Sequence, residues 1–93
     1  MGRSFEYQVR NELRDLGLCV IRSAASQGPF DLVAFSSRKV YFIQCKCTRN
    51  LKLNFSSVIS EIKKIKVPKN VQKELWIKTI KKNRKNKIEV LIC

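Results

Sequence analysis

Hydrophobic positions along the chain change period several times, and each change marks an element. Over residues 4–16, Phe5, Val9, Leu13 and Leu16 recur at three- and four-residue spacing, which predicts an amphipathic helix. Ser4 is placed to cap its start, and Gly17 to end it in the left-handed conformation. The period then falls to two. Residues 18–23 (LCVIRS), 30–35 (FDLVAF) and 40–47 (VYFIQCKC) predict three strands. A loop rich in breakers, AASQGP at 24–29, separates the first two, and a polar turn at 36–39 joins the second to the third. Apart from Gln44 and Lys46 the third strand is apolar on both faces, the pattern of a central strand covered on each side. Helical spacing returns over 54–65, where Phe55, Val58, Ile59, Ile62 and Ile65 form a stripe that the run KKIK and Pro68 end. Residues 74–80 and 87–92 alternate as strands around a hairpin tip, KKNRKN. The order αβββαββ predicts an α/β fold, a central mixed sheet flanked by helices, in one domain over residues 1–93 without repeats or a linker.

Charge adds a partner to this picture. Twenty Lys and Arg face seven Asp and Glu, a net +13 on 93 residues. So one-sided an excess differs from the mixed-sign charge of ion-pair networks and points to a polyanion, nucleic acid first. The absence of histidine excludes His-based metal centres and His general bases. Cys19, Cys45, Cys47 and Cys93 form no Cys-x-x-Cys pair, so they read as free thiols of a reducing compartment rather than zinc ligands. The N-terminal stretch is charged and amphipathic, unlike a signal peptide, and no apolar run reaches membrane-spanning length. A cytoplasmic protein without a membrane segment is expected.

Candidate chemistry collects between Arg22 and Lys46. Asp31 stands at the start of one predicted strand, and Gln44 and Lys46 stand two apart, hence on one face, of the next. If these strands pair antiparallel, a carboxylate, an amide carbonyl and an ammonium converge. Magnesium takes oxygen ligands and keeps several waters, so such a set can hold it, with Lys46 left to orient water or offset phosphate charge. Other readings stay open at this level. Asp31 and Lys46 can form a buried ion pair, Gln44 can bond a sheet edge, and Arg22 can be a surface cation. Glu6 can be no more than a carboxylate favoured by the start of its helix.

The segments Arg22–Ser26, Asp31–Ala34 and Tyr41–Lys46, with Phe5-Glu6 ahead of them, resemble the core of the archaeal Holliday junction resolvases, a family of the PD-(D/E)XK nuclease superfamily. The likeness is specific over about the first half of the chain. It implies a restriction-endonuclease-like fold, magnesium (or manganese) dependence and a homodimer that cuts branched DNA. Carried over by position, it makes Glu6 and Asp31 metal carboxylates and Lys46 the catalytic lysine. Arg22 becomes a phosphate contact, and Ser23 or Ser26 approaches the scissile strand.

Two positions depart from the family pattern. Gln44 replaces the strand glutamate, which leaves a neutral ligand among the catalytic set Glu6, Asp31, Gln44 and Lys46. Tyr7 stands where the family often carries a basic residue, so one DNA contact is in question. Further basic residues run from Lys63 to Lys87 and are read as phosphate contacts, with Lys81, Lys82, Arg84 and Lys85 foremost, and Arg49 ahead of that run is read the same way. Only Trp76 interleaves with them, which argues against base stacking on a single strand. The expectation is a magnesium-dependent, structure-selective endonuclease resolving four-way junctions, its dimer interface on the second helix or the final hairpin. A repair or homing-type nuclease, or a catalytically weakened DNA-binding module of the same fold, are the alternatives.

Overall fold

The computed structural model describes residues 2–22, 30–49, 55–82 and 85–93. The elements follow in the expected order: α1 (Gly2–Asp15), β1 (Cys19–Arg22), β2 (Leu32–Phe35), β3 (Val40–Thr48), α2 (Ser56–Lys64), β4 (Val71–Thr79) and β5 (Lys87–Ile92). They build one five-stranded sheet with strand order β1-β2-β3-β4-β5. All neighbours are antiparallel except β3 and β4, which run parallel and are joined by the α2 crossover that a parallel pair requires.

Helix α1 starts before Ser4, which lies inside it rather than at its cap. Its end is built as the sequence suggests. Gly17 adopts φ +90°, the Gly17 N–H donates to Arg14 O (2.9 Å) and the Leu18 N–H to Leu13 O (3.1 Å). This is a Schellman motif, and Leu18 packs beside Leu13 in the core, as that motif favours. Leu16 is thereby carried off the apolar stripe and is 76% exposed, contrary to the periodicity.

Each face of the sheet carries its own core. On one face Phe5, Val9 and Leu13 of α1 pack on Val20, Leu32, Ala34, Ile43 and Cys45. On the other, Ile62 of α2 packs on Leu75 and Ile77, with Phe55, Val58 and Ile59 around it. The central position of β3 accounts for its apolarity on both faces. Helix α2 is shorter than its apolar stripe, because Ile65 has left helical geometry (ψ 119°). Residue 54, the expected start of that helix, lies outside the described residues.

Strand β4 begins at Val71, three residues before the alternating pattern suggests. Its extra length holds Gln72 and Lys73, polar residues whose side chains are satisfied internally. Lys73 is buried and its ammonium donates to the carbonyls of Ile62 (2.8 Å), Lys63 (3.3 Å) and Ile65 (2.6 Å). It thus closes the C-terminal end of α2, where the helix leaves carbonyls unpaired and its dipole favours a cation. Gln72 bridges the Lys39 ammonium (2.8 Å) and Glu74 (2.6 Å), and the Trp76 indole N–H donates to the same Glu74 (2.9 Å). No described helix is long and apolar enough to cross a membrane.

Candidate active site

The site originates in a mismatch of strand lengths. One edge of β3 pairs with β4 along its whole length, Val40 to Thr48. The other pairs with β2 only as far as Ile43. Beyond that point the backbone of β3 lacks a ladder partner on this side, and a buried N–H must be satisfied some other way. Asp31, one residue ahead of β2, does so: its N–H donates to Ile43 O (2.8 Å) and its Oδ2 accepts from the Cys45 N–H (2.8 Å). The carboxylate is thereby fixed to the backbone midway between Gln44 and Lys46. Among the described residues its second oxygen accepts no hydrogen bond.

Gln44 and Lys46 point to the α2 side of the sheet, as their register beside Leu75 and Ile77 requires. Gln44 is 7% exposed, and its Oε1 is shielded from solvent without a hydrogen-bond donor among the described residues. An orphaned buried carbonyl costs about 1–3 kcal/mol, and a ligand would relieve it. Lys46 is half-buried and makes no ion pair with Asp31, so the alternative of a buried Asp31–Lys46 bridge does not hold. Cys45 points the opposite way into the α1 core. Its thiol pKa is raised, by burial first and then by the negative charges of Asp31 and Glu6.

Glu6 comes from α1 and is held by Arg22, whose guanidinium lies 3.6 Å from Glu6 Oε2. Arg22, at the end of β1, faces Leu32 across the ladder, next to Asp31. Glu6 and Arg22 thus meet on the α1 side of the sheet, where Arg22 shares its register with the core residue Leu32, while Asp31 lies with Gln44 and Lys46 where β2 begins and β3 runs on alone. Among the described residues no group of three or more Cys, Asp and Glu side chains is arranged to hold a metal ion. An ion here would depend on Gln44 and water as well as on carboxylates.

The strand directions place most of the expected DNA contacts at this same end of the sheet. Exposed Arg49 and Lys82 line, with Ile80, a recess of about 310 Å³ at the carboxyl ends of β3 and β4. Lys81 and exposed Lys85 belong to the hairpin beside it, where the Lys81 N–H donates to Asn86 Oδ1 (3.2 Å). Ser23, Ser26 and Arg84 lie outside the described residues. The reading of the whole basic run as phosphate contacts needs correction at two positions. Lys73 is the buried cap of α2, and Lys78 donates to Gln8 (3.0 Å), tying β4 to α1. Trp76, half-buried and bonded to Glu74, is no free stacking platform, in keeping with the sequence argument.

A family model for the archaeal Holliday junction resolvase (Hjc) matches residues 1–91. The chain belongs to this family of junction-resolving DNA nucleases. Among solved structures, the chain is similar to Archaeoglobus fulgidus Hjc, a Holliday junction resolvase from an archaeal hyperthermophile, with a TM-score of 0.61 at 21% identity over 91% of this chain and 72% of that one. The two share the restriction-endonuclease-like fold. No curated protein matches the chain. Family membership and fold agree with the resemblance seen in the first half of the sequence, and they extend it over the weakly similar second half.

Proposed function

We propose that this resolvase-family chain is a divalent-metal-dependent endonuclease that cuts four-way DNA junctions as a homodimer. The observation that carries the reading is Asp31, bonded to the Cys45 N–H between an orphaned buried carbonyl on Gln44 and the ammonium of Lys46. The donor set is all oxygen, which suits Mg²⁺, with Mn²⁺ as the alternative. Asp31, Gln44 and Glu6 would hold the ion, which when bound supplies charge stabilisation at the phosphate and a more acidic water.

The remaining work falls to the chain's own groups. Hydrolysis joins a water oxygen to phosphorus and breaks one P–O ester bond, with the proton passing to the departing oxygen. Lys46, without a hydrogen bond or ion pair among the described residues, donates to the attacking water or to a phosphate oxygen and offsets the growing negative charge. Asp31, held by the backbone, needs no reorganisation during the step. Arg22 steadies the DNA backbone beside the cut, and Arg49, Lys81, Lys82 and Lys85 follow it further away. With about six to ten phosphate contacts, affinity falls by about three to five decades between 50 and 200 mM salt.

Paired nicks require two such sites, and a second copy supplies the other. β5 supports this arrangement. Ile88, Val90 and Ile92 alternate along its α1-side face and are 37%, 45% and 70% exposed, an apolar stripe on an edge strand. Ile62 of α2, by contrast, is consumed in the chain's own core. The final strand is therefore favoured over the second helix as the interface.

The test is incubation of a labelled four-way junction, beside linear duplex of the same sequence, with Mg²⁺ and wild type, Asp31→Asn or Lys46→Ala. The expected result is preferential junction cutting by wild type and a loss of about 10²-fold or more in either variant. Equal cutting by wild type and variants would refute the site. Junction binding without cutting would support the second reading, a binding module weakened by the neutral Gln44.

A further inference from the structure

Tyr7 follows Glu6 on α1 and is 39% exposed. Two guanidiniums lie against its ring. That of Arg10, three residues along the same helix, is 4.7 Å from the ring centroid, and that of Arg22, from the end of β1, is 5.7 Å. Like charges held against one ring repel, and the carboxylate close to them is Glu6, 3.6 Å from Arg22. Arg10 makes only a long 3.4 Å contact to Asn11 Oδ1 among the described residues. Its Nε is shielded from solvent and has no acceptor among the described residues.

Two guanidiniums stacked on one ring, one of them with a buried Nε, make a receptor for an anion. A guanidinium laid on an aromatic ring is fixed in plane while its edge N–H groups stay free, and that edge matches two oxygens of a phosphate. A further negative charge would relieve the repulsion between the two guanidiniums. The location is also suitable. Arg22 faces Leu32 next to Asp31, so an anion held here lies beside the candidate cleavage site.

We infer that Arg10, Tyr7 and Arg22 form a clamp for a DNA phosphodiester adjacent to the one that is cut. Arg10 and Arg22 bind the phosphate oxygens, and Tyr7 is the positioning residue that holds both guanidiniums in register. This inference rests on the junction-cutting reading above and adds to it a site at which the backbone is gripped.

The experiment measures anisotropy of a fluorescein-labelled four-way junction over a salt series, with Ca²⁺ in place of Mg²⁺, on the full chain. Arg10→Gln is expected to lower affinity about ten-fold and to reduce the slope of log K against log salt by about one. Tyr7→Leu keeps both charges but loses their placement, so affinity falls several-fold, and Tyr7→Phe restores it. Arg14→Gln, in the last turn of α1, removes an equal charge and leaves the slope unchanged. Wild-type affinity and slope in Arg10→Gln, with the junction still bound, overturn the clamp and leave the nuclease reading standing. A slope change in Arg14→Gln equal to that in Arg10→Gln also overturns it, since any surface arginine would then serve. Failure of wild type to bind the junction overturns both.

Discussion

Gln44→Glu probes the site at its most unusual position. In the wild type a divalent ion would face the carboxylates of Asp31 and Glu6 and one neutral carbonyl, and the substitution adds a third negative charge. Two unit charges 4 Å apart interact by about 1 kcal/mol in water and about 4 kcal/mol at an effective dielectric of 20. Repulsion from Asp31 and desolvation of a side chain only 7% exposed oppose this gain. A net of about 1.4–2.8 kcal/mol remains, which is one to two decades of metal affinity. Without metal the sign reverses. The introduced carboxylate is buried beside Asp31 and destabilises the fold by about 1–3 kcal/mol, with each kcal/mol lowering the melting temperature by about 4–8 °C. Burial and the Asp31 charge raise its folded-state pKa, so this destabilisation is present at neutral pH and fades as pH falls to where the carboxyl is protonated in both states. Two measurements check the reasoning: junction cleavage against Mg²⁺ concentration, and thermal melting with and without Mg²⁺. The expected outcome is half-saturation at about ten- to a hundred-fold less Mg²⁺, with a melting temperature that is lower without the ion and gains more from it than wild type does. Identical Mg²⁺ dependence and identical melting in both proteins would show that Gln44 is not a ligand.

Three further outcomes follow from single contacts. Asp31→Ala removes the acceptor of the Cys45 N–H and costs about 1.5–3 kcal/mol in urea unfolding, whereas Asp31→Asn keeps a carbonyl there and costs about half as much, although both abolish cleavage. Equal stability of the two variants would mean that the bond does not anchor the site. Lys73→Met strips three carbonyls of their donor and is expected to lower stability by about 1–3 kcal/mol and to speed amide exchange in α2, and an unchanged unfolding midpoint would refute the capping role. Val90→Lys on the β5 stripe is expected to shift sedimentation from dimer to monomer with unchanged far-UV circular dichroism. Leu16→Lys, at an exposed leucine outside the β5 stripe, leaves the dimer intact, and a dimer that survives Val90→Lys places the interface elsewhere.

Local pattern determined a great deal of this protein. The helical spacing of Phe5, Val9 and Leu13 and the left-handed Gly17 define α1, because a short amphipathic helix needs only a stripe and a stop. The double-sided apolarity of residues 40–47 marked the middle strand, and the period of two put Gln44 and Lys46 on one face with Cys45 on the other. What the pattern could not contain is the outcome of contacts between distant residues. Leu16 fits the stripe but is exposed, since the chain turns at Gly17 before the stripe is complete. Lys73 looks like one more surface cation and is buried, because α2 presents three carbonyls to it from about ten residues away in sequence. Arg22 looks like a free phosphate contact and is shared between Glu6 and the Tyr7 ring, which a helix on one sheet face brings to the end of an edge strand. Asp31 shows the division most clearly. Sequence alone gave reason to suspect it, but only the shortness of β2 against β3 leaves the Cys45 N–H open for its carboxylate, and only that bond sets it between Gln44 and Lys46. Periodicity reports which face a side chain takes, whereas strand length and pairing decide which backbone groups go unpaired, and the candidate site is built on one of those.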